Sequence, residues 1–184
     1  MHDMMVALSK RGIESSALVH RHQWSLRSLV ERYSFAGANF QIVRAGRIAK
    51  ILFAPISPAF PWHLHGMIRS IRPDALHIHM PNPSAFWTLV FPQARRIPWV
   101  VHWHADVITA EQGWLMKLMY ALYRPFEQAL LKRSKAIVVT SKPYLDSSEP
   151  LRRWRSRCQV VPLGVDTGRF AAAAAPAAEL SGQE

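Results

Sequence analysis

The chain has 184 residues, enough for one well-cored domain of ordinary size, and its 49% of apolar residues excludes general disorder. Its 23 basic and 12 acidic side chains give a formal net charge of +11, which favours an anionic partner or surface such as nucleic acid, anionic lipid or a phosphorylated substrate. No charge-free apolar run reaches about 18 residues, so the sequence predicts no transmembrane helix, and its first residues do not resemble a signal peptide.

The first third of the chain predicts one helix followed by short strands. Helix formers over residues 3–10 predict a helix, and the apolar run within residues 13–20 predicts a strand. The polar stretch 24–38 predicts a loop with a helical turn. Residues 40–44 are typical of a strand, and residues 48–54 are either a strand or extended chain.

The middle of the chain predicts a helix and then a strand-helix-strand unit. A helix is expected over residues 57–71, and a short strand over residues 75–79 that the following prolines end. Apolar residues at helical spacing over 84–94 predict a helix with Asn82 as its N-cap, and residues 97–103 predict a second strand. Two buried strands joined by one helix are expected to pair in parallel.

The last part of the chain predicts two more strands and two helices. A long helix is expected over residues 112–133, with Pro125 inside it kinking it or splitting it in two. Residues 136–140 predict a buried strand, Ser141 caps a short helix, and residues 159–162 predict the final strand.

This order of elements predicts an α/β fold, a doubly wound, Rossmann-like parallel sheet flanked by helices. A fold of this type normally opens with a strand that feeds the first helix, and no such strand precedes Met1. We therefore expect residues 1–170 to form a partial domain. The alanine-rich residues 171–184 have no pattern to pack and are expected to be a disordered tail or linker.

Polar side chains gather where the two central strands end. His77 and His79 end the first strand, and His102, His104 and Asp106 end the second. In a parallel α/β sheet the ligand crevice lies beyond the carboxyl ends of the strands, so the candidate site is expected here. Because the histidines of each pair are two residues apart, they share one face of a strand, and four imidazoles so placed could also bind zinc. A zinc hydrolase is therefore a third interpretation.

Seven short motifs, in this order, resemble the amino-terminal domain of family 4 glycosyltransferases. They are PDALHIH (73–79), PNP (81–83), VVHWHAD (100–106), YALYRP (120–125), AIVVTS (136–141), YL (144–145) and VVPLGVD (160–166). The resemblance covers nearly the whole chain, about residues 1–170. It implies a GT-B architecture of two Rossmann-like domains in which the second domain holds most of the sugar nucleotide. It also implies a retaining transfer that needs no metal or other cofactor.

The resemblance assigns a role to one residue, and positions at strand ends and helix starts give the other candidates. His104 matches the family's acceptor-side histidine and is the catalytic candidate. The acceptor-binding candidates, in chain order, are His79, Asn82, Asp106, Ser141 and Lys142. Several have simpler interpretations that stay open: His104 as the cap of a strand end, Asp106 as the cap of the following turn, and Asn82 and Ser141 as N-caps of the helices that they precede.

The sequence departs from the family pattern at both ends. A first strand with its glycine-rich loop would precede Met1, and a donor domain would follow Asp166; neither lies within these residues. Stabilising a departing nucleotide takes groups from both walls of a cleft, so we expect a fragment that does not transfer sugar alone. The alternative function is a basic, non-catalytic module that binds nucleic acid or anionic membrane. The lack of a recognisable nucleic-acid-binding motif disfavours nucleic acid as the partner of such a module.

Two further features bear on location. The single cysteine, Cys158, allows no intrachain disulfide, which fits a cytoplasmic protein. The helix over residues 57–71 mixes Trp62 with Arg69, a combination that suits peripheral contact at the inner membrane face and equally suits a helix packed on the sheet. The arginines at 152, 153, 155 and 157 are expected to form a solvated basic surface.

Overall fold

A computed structural model of the protein describes residues 2–35, 38–51, 54–107 and 113–164. Over these ranges the chain forms an α/β fold built on a four-stranded parallel sheet with flanking helices, which confirms the predicted fold class. Among the described helices, none combines the length and apolar character that crossing a bilayer requires. The predicted tail, residues 171–184, lies outside the described residues.

The amino-terminal part forms a helix and a three-stranded sheet. Helix α1 (His2–Ser9) leads into β1 (Ser16–His20), and both elements confirm the prediction. β2 (Leu29–Phe35) and β3 (Ala38–Ala45) complete the sheet, in which β3 lies in the middle, parallel to β1 and antiparallel to β2. We call this the amino-terminal sheet.

The prediction of a loop over residues 24–38 was wrong for the seven residues Leu29–Phe35, which form β2. All seven residues of β2 pair with β3, from Leu29 opposite Arg44 to Phe35 opposite Ala38. This antiparallel pairing outweighs the polar composition, which by itself does not favour a strand.

A hairpin and a helix connect the two sheets. β4 (Ala49–Ile51) lies within the stretch 48–54 that was predicted as a strand or extended chain, and it pairs antiparallel with β5 (Ala54–Ile56), most of which was not predicted. Helix α2 (Ala59–Ile71) follows as predicted. Arg72 ends it in the left-handed conformation, with φ of 50°, and its N–H donates to the carbonyl of Ile68.

The second sheet, which we call the parallel sheet, has four strands in sequence order. They are β6 (Leu76–Met80), β7 (Trp99–Trp103), β8 (Ala136–Val139) and β9 (Cys158–Val160). Every neighbouring pair is parallel, which confirms the predicted pairing of the two central strands. The register places His79 opposite His102.

The helix predicted over residues 84–94 is broken into three short pieces, so that prediction was wrong. A 3-10 turn (Pro83–Phe86) continues into α3 (Trp87–Val90), and α4 (Pro92–Arg96) begins anew. Phe91 between the two helices is extended, with φ of −80° and ψ of 120°. The following proline causes the break, because its ring disfavours the helical conformation of the preceding residue.

The predicted split at Pro125 does not occur, since α5 (Trp114–Arg133) runs as one helix of 20 residues with Pro125 inside it. Residue 112, where this helix was expected to begin, lies outside the described residues. α6 (Lys142–Ser147) is capped by Ser141 as predicted, and a 3-10 helix (Arg152–Arg157) leads into β9.

The hydrophobic core lies mainly against one face of the parallel sheet. Ile78 and Met80 of β6 and Val101 and Trp103 of β7 are buried there with residues of α5 such as Leu131. A smaller cluster joins α1 to the amino-terminal sheet; its members are Met5, Ala17, Phe40 and Ile42. The side chains that alternate with these core residues point to the other face, and they include His77, His79 and His102.

Candidate functional site

The alternation of β6 and β7 gathers four histidines on one face of the parallel sheet. His77 and His79 alternate with buried residues of β6, and His102 does so on β7. His104 lies just beyond β7, and its N–H donates to the carbonyl of Met80, which keeps the two strand ends together. We call His77, His79, His102 and His104 the histidine ladder.

The ladder is a stack of imidazole rings. Its neighbouring ring centroids lie 4.3 to 5.4 Å apart, with interplanar angles between 4° and 28°. Nδ1 of His79 and Nε2 of His104 are 2.8 Å apart, a hydrogen bond in which one nitrogen donates and the other accepts. The predicted proximity of His79 and His104 is therefore present in the fold.

Burial keeps the ladder uncharged near neutral pH. It lowers the pKa of all four histidines from the usual 6.5, and the neighbouring imidazoles lower several of these values further. The pKa of His79 falls to about 3 and that of His102 to about 4. Neutral imidazoles can donate and accept hydrogen bonds at the same time, which suits a site that contacts hydroxyl groups.

The ladder also contains the candidate metal ligands of the described residues. Ring nitrogens of His77, His79 and His102 lie within 4.8 Å of one another. The lone pair of an imidazole nitrogen lies in the plane of its ring, so the lone pairs of stacked rings run side by side and do not converge on one point. Binding one zinc ion would require the rings to rotate out of the stack.

Asp106 lies just beyond the end of β7 and accepts three hydrogen bonds from other side chains. Its Oδ1 accepts hydrogen bonds from Trp103 Nε1 at 2.7 Å, Tyr144 Oη at 2.6 Å and Ser148 Oγ at 2.8 Å. The bonds from Tyr144 and Ser148 join the segment after β7, which carries His104, to α6 and its C-cap, and the bond from Trp103 attaches it to β7. They give Asp106 a positioning function whether or not it also contacts a ligand.

The other predicted site residues follow β6 and β8 at the same edge of the sheet, and each has a local partner. Asn82 accepts from the N–H of Ser84 at 3.1 Å and Ser141 from that of Tyr144 at 3.4 Å, so both are helix caps. Lys142 pairs with Asp146 at 2.5 Å. His79 and His104 are thus the candidates that the fold brings into direct contact with each other.

Glu127 is a titratable residue that sequence reasoning missed. It is fully buried in α5, where Tyr120 Oη donates to its Oε1 at 3.2 Å. Within the described residues its Oε2 has no hydrogen-bond partner, and burial raises its pKa to about 7. The sequence could have indicated that Glu127 is buried, because it lies three and four residues before the core residues Leu130 and Leu131 and therefore on the same face of the helix.

His20 is a second residue of the site region that the sequence did not single out. Its Nε2 lies 3.0 Å from Ser84 Oγ, and its ring stacks on that of Phe60 with centroids 4.8 Å apart. His20 is the last residue of β1, and this position at a strand end could have identified it as a candidate site residue.

Comparison with known proteins gives consistent results. A family model described as the glycosyl transferase 4-like domain matches residues 1–164. The D-rhamnosyltransferase WbpZ of Pseudomonas aeruginosa is 32% identical over 94 residues, and the O-antigen chain mannosyltransferase C of Escherichia coli is 31% identical over 95. Each match covers 50% of this chain and 23% of the relative, so the chain corresponds to a minor part of these relatives.

Proposed function

Since this chain belongs to the glycosyl transferase 4-like family, we propose that it is the acceptor-binding part of a retaining glycosyltransferase. The donor would be a nucleotide sugar. The names of the two relatives give rhamnose and mannose as the sugars that they transfer, and one of them names an O-antigen chain. We propose that this chain serves a growing chain of similar residues, so that its acceptor, a polysaccharide or lipid-linked precursor, ends in a residue of the mannose type. The hydrogen-bonded pair of His79 and His104, held neutral at the outlets of two parallel strands, is the observation that supports this function most directly.

His104 is the residue that we propose to contact the reacting sugars. Its Nε2 is engaged with His79, which fixes the orientation of the ring and leaves Nδ1 to bind a hydroxyl of the acceptor or of the transferred sugar. Asp106 acts through the segment that carries His104, because the hydrogen bonds from Tyr144 and Ser148 attach that segment to α6 and its C-cap, and the bond from Trp103 attaches it to β7. We propose that Asn82, Ser141 and Lys142 shape the same edge of the cleft.

We propose that transfer of the sugar requires groups beyond those of this chain. Stabilising the charge of a departing nucleotide takes donors aimed at its phosphates from the opposite wall of the cleft. We therefore expect the isolated chain to bind acceptor without turning over donor. No metal takes part in the proposed step, in which the chain's own contribution is to bind and orient the acceptor.

Nuclear magnetic resonance titration of the full chain tests acceptor binding. The probes are methyl α-D-mannoside and methyl α-D-rhamnoside, with methyl β-D-galactoside as a stereochemical control. We expect the first two to shift the ring resonances of His79 and His104. His104→Gln should weaken binding by about tenfold, the equivalent of about 1.4 kcal/mol, whereas the exposed His22→Gln should not.

Two results would count against the proposed function. One is binding of the mannose-type probes at a surface remote from the ladder. The other is an equal response of the ladder histidines to all three sugars, because a stereochemically specific acceptor site must distinguish them.

A second candidate function is supported by a basic groove at the opposite end of the parallel sheet. This cavity of about 1020 Å³ lies before β7 and β8. Its basic lining residues are Arg95, Arg96, Lys132, Arg133, Lys135 and Arg157, with no acidic side chain among its lining residues. Such a groove suits an anionic polymer or membrane surface.

A salt titration separates the two functions. Under the glycosyltransferase hypothesis, the groove contributes at most peripheral contact with anionic vesicles, and duplex DNA binds weakly. Tight DNA binding that falls steeply with salt and is lost in Arg96→Glu would favour the basic module instead.

A further inference from the structure

Helix α5 carries apolar side chains on two opposite faces. Its inner face is buried and includes Met116, Leu130 and Leu131, the last two of which pack against the parallel sheet. The outer face is exposed and also apolar, and its residues are Leu115, Leu118, Met119, Leu122 and Phe126. Their spacing of three and four residues places them in one row along the helix. We call these five residues the apolar stripe.

The apolar stripe is part of a larger exposed apolar surface. Leu122 is 62% exposed, and no element of the described residues covers the stripe. The ring of Phe126 stacks on that of Phe86 with centroids 5.5 Å apart, and Trp87 and Val90 of the adjoining α3 are exposed as well. A helix that is apolar on all sides is normally buried on all sides, so the stripe indicates a surface that contacts something else.

The stripe runs from the edge of the sheet that carries the histidine ladder toward the basic groove. α5 ends just before β8 begins, whereas its Phe126 contacts Phe86, which follows the carboxyl end of β6. The helix therefore runs antiparallel to the strands of the parallel sheet. Trp114 lies four residues before Leu118 and Arg133 lies seven residues after Phe126, so both continue the row. Arg133 also lines the basic groove.

The charge of this region indicates what the surface contacts. In α3, α4 and α5 Glu127 is the one acidic residue, and it is buried on the inner face. The exposed basic residues of these helices are Arg95, Arg96, Lys117, Arg124, Lys132 and Arg133. A second copy of this chain would bring like charges together across a two-fold axis, which disfavours self-association. An anionic lipid bilayer offers both an apolar layer and negative headgroups.

Helix α2, whose composition also suits membrane contact, has no comparable stripe. Trp62 of α2 is 78% exposed, and Trp114 of α5 is 76% exposed. The residues three and four positions after Trp62 are His65 and Gly66, which add no exposed apolar side chain. Trp62 is thus an isolated aromatic residue, and it is a suitable control for Trp114.

We propose that the outer face of α5 docks on an anionic membrane surface. The helix lies in the plane of the bilayer, with the apolar stripe and Trp114 at the boundary between headgroups and acyl chains. Arg133 and the other basic side chains of the groove contact the lipid phosphates. This orientation holds the edge of the sheet that carries the histidine ladder near the bilayer, where a lipid-linked acceptor would be present. That consequence rests on the proposed function, whereas the docking does not.

Co-sedimentation of the full chain with vesicles tests the docking. The vesicles are phosphatidylcholine alone and phosphatidylcholine with about one third phosphatidylglycerol, and binding to the latter should be at least about tenfold tighter. Leu118→Ser combined with Leu122→Ser should weaken binding to the anionic vesicles at least about tenfold, whereas Trp62→Ser should change it by less than about twofold. Because both leucines are exposed, the double variant should keep its midpoint in urea denaturation.

Tryptophan fluorescence locates the contact independently. In this measurement the phosphatidylcholine of the anionic vesicles carries brominated acyl chains, which quench tryptophans that reach the acyl-chain boundary. Trp114→Phe should remove most of the quenching seen with the original protein, whereas Trp62→Phe should leave it unchanged.

Several outcomes would overturn the proposal. Binding to anionic vesicles that withstands the two leucine substitutions would assign the contact to the basic groove alone, and equal binding to neutral vesicles would refute the need for anionic lipid. Equal losses with Trp62→Ser, or no binding to either kind of vesicle, would show that α5 is not a docking surface. A dimer that dissociates in the double variant would assign the stripe to a second copy. The sugar titration of His79 and His104 uses no vesicles, so failure of the docking and failure of the proposed function are distinguishable.

Discussion

The two sheets of this protein differ in how completely their residues bury one another. The parallel sheet has a core cluster of twelve buried residues, whereas the amino-terminal sheet shares a cluster of four with α1. Next to the amino-terminal sheet, Trp24 is 73% and Leu26 is 83% exposed. The parallel sheet is therefore expected to be the more stable of the two, because more of its apolar surface is buried.

Core truncations should show this difference most strongly. Leu131 is fully buried in the larger cluster, and Leu131→Ala is expected to lower the free energy of unfolding by about 3–5 kcal/mol. Met5→Ala, in the smaller cluster, should cost about 2 kcal/mol, because a small cluster can relax further into the vacated space. Urea denaturation measures both values. Equal losses would mean that the two sheets are equally well packed.

Asp106 offers a test within the better-packed half. Asp106→Ala removes one acceptor from three donors and should cost about 2–4 kcal/mol in urea denaturation. The matched control is Asp146→Ala, which removes only an exposed ion pair with Lys142 and should cost at most about 0.5 kcal/mol. If the two substitutions cost the same, the hydrogen bonds to Asp106 are not what holds the segment after β7 in place.

Glu127 is expected to make the parallel-sheet half less stable as pH rises from acidic to neutral values. Its folded pKa of about 7 lies above the ordinary value of 4.5, so the folded state binds the proton more tightly than the unfolded state. Stability should consequently fall as pH rises from about 4.5 to about 7, by at most about 2–3 kcal/mol. Glu127→Gln should remove this slope and be the more stable protein at pH 8, as thermal melts across that range can show. A variant with an unchanged slope would place the relevant titration elsewhere.

The parallel sheet was also the part of the fold that the sequence predicted best. Its strands are short apolar runs between turn-forming residues, and the connections between them favour parallel pairing. β2 could not be found this way, because its formation depends on partners in β3 and not on its own composition. The break at Phe91 was detectable in principle, since a proline follows that residue directly.

The candidate site was predictable in outline but not in its details. The ends of two parallel strands bring His79 and His104 together, and a period of two places His77 and His102 on the same face. That three donors converge on Asp106 depends on the position of α6, which no local pattern specifies. The burial of Glu127 likewise depends on how α5 packs, which its apolar spacing only suggests.

The smallest expected effect is the acid sensitivity of the histidine ladder. Because the folded pKa values of His79 and His102 lie below 6.5, the unfolded state binds more protons at acid pH. Stability should be unaffected above about pH 6.5 and should fall as pH drops from there toward the folded values of about 4 and about 3. His102→Gln should reduce the stability lost on acidification by about 1 kcal/mol, because both ring nitrogens are buried without a hydrogen-bond partner among the described residues, while solvent at the exposed part of the residue screens some of the charge. Melts between pH 4 and 7 with His22→Gln as control test this. An acid slope equal in all three proteins would show that the ladder is not the acid-sensitive element of the parallel sheet.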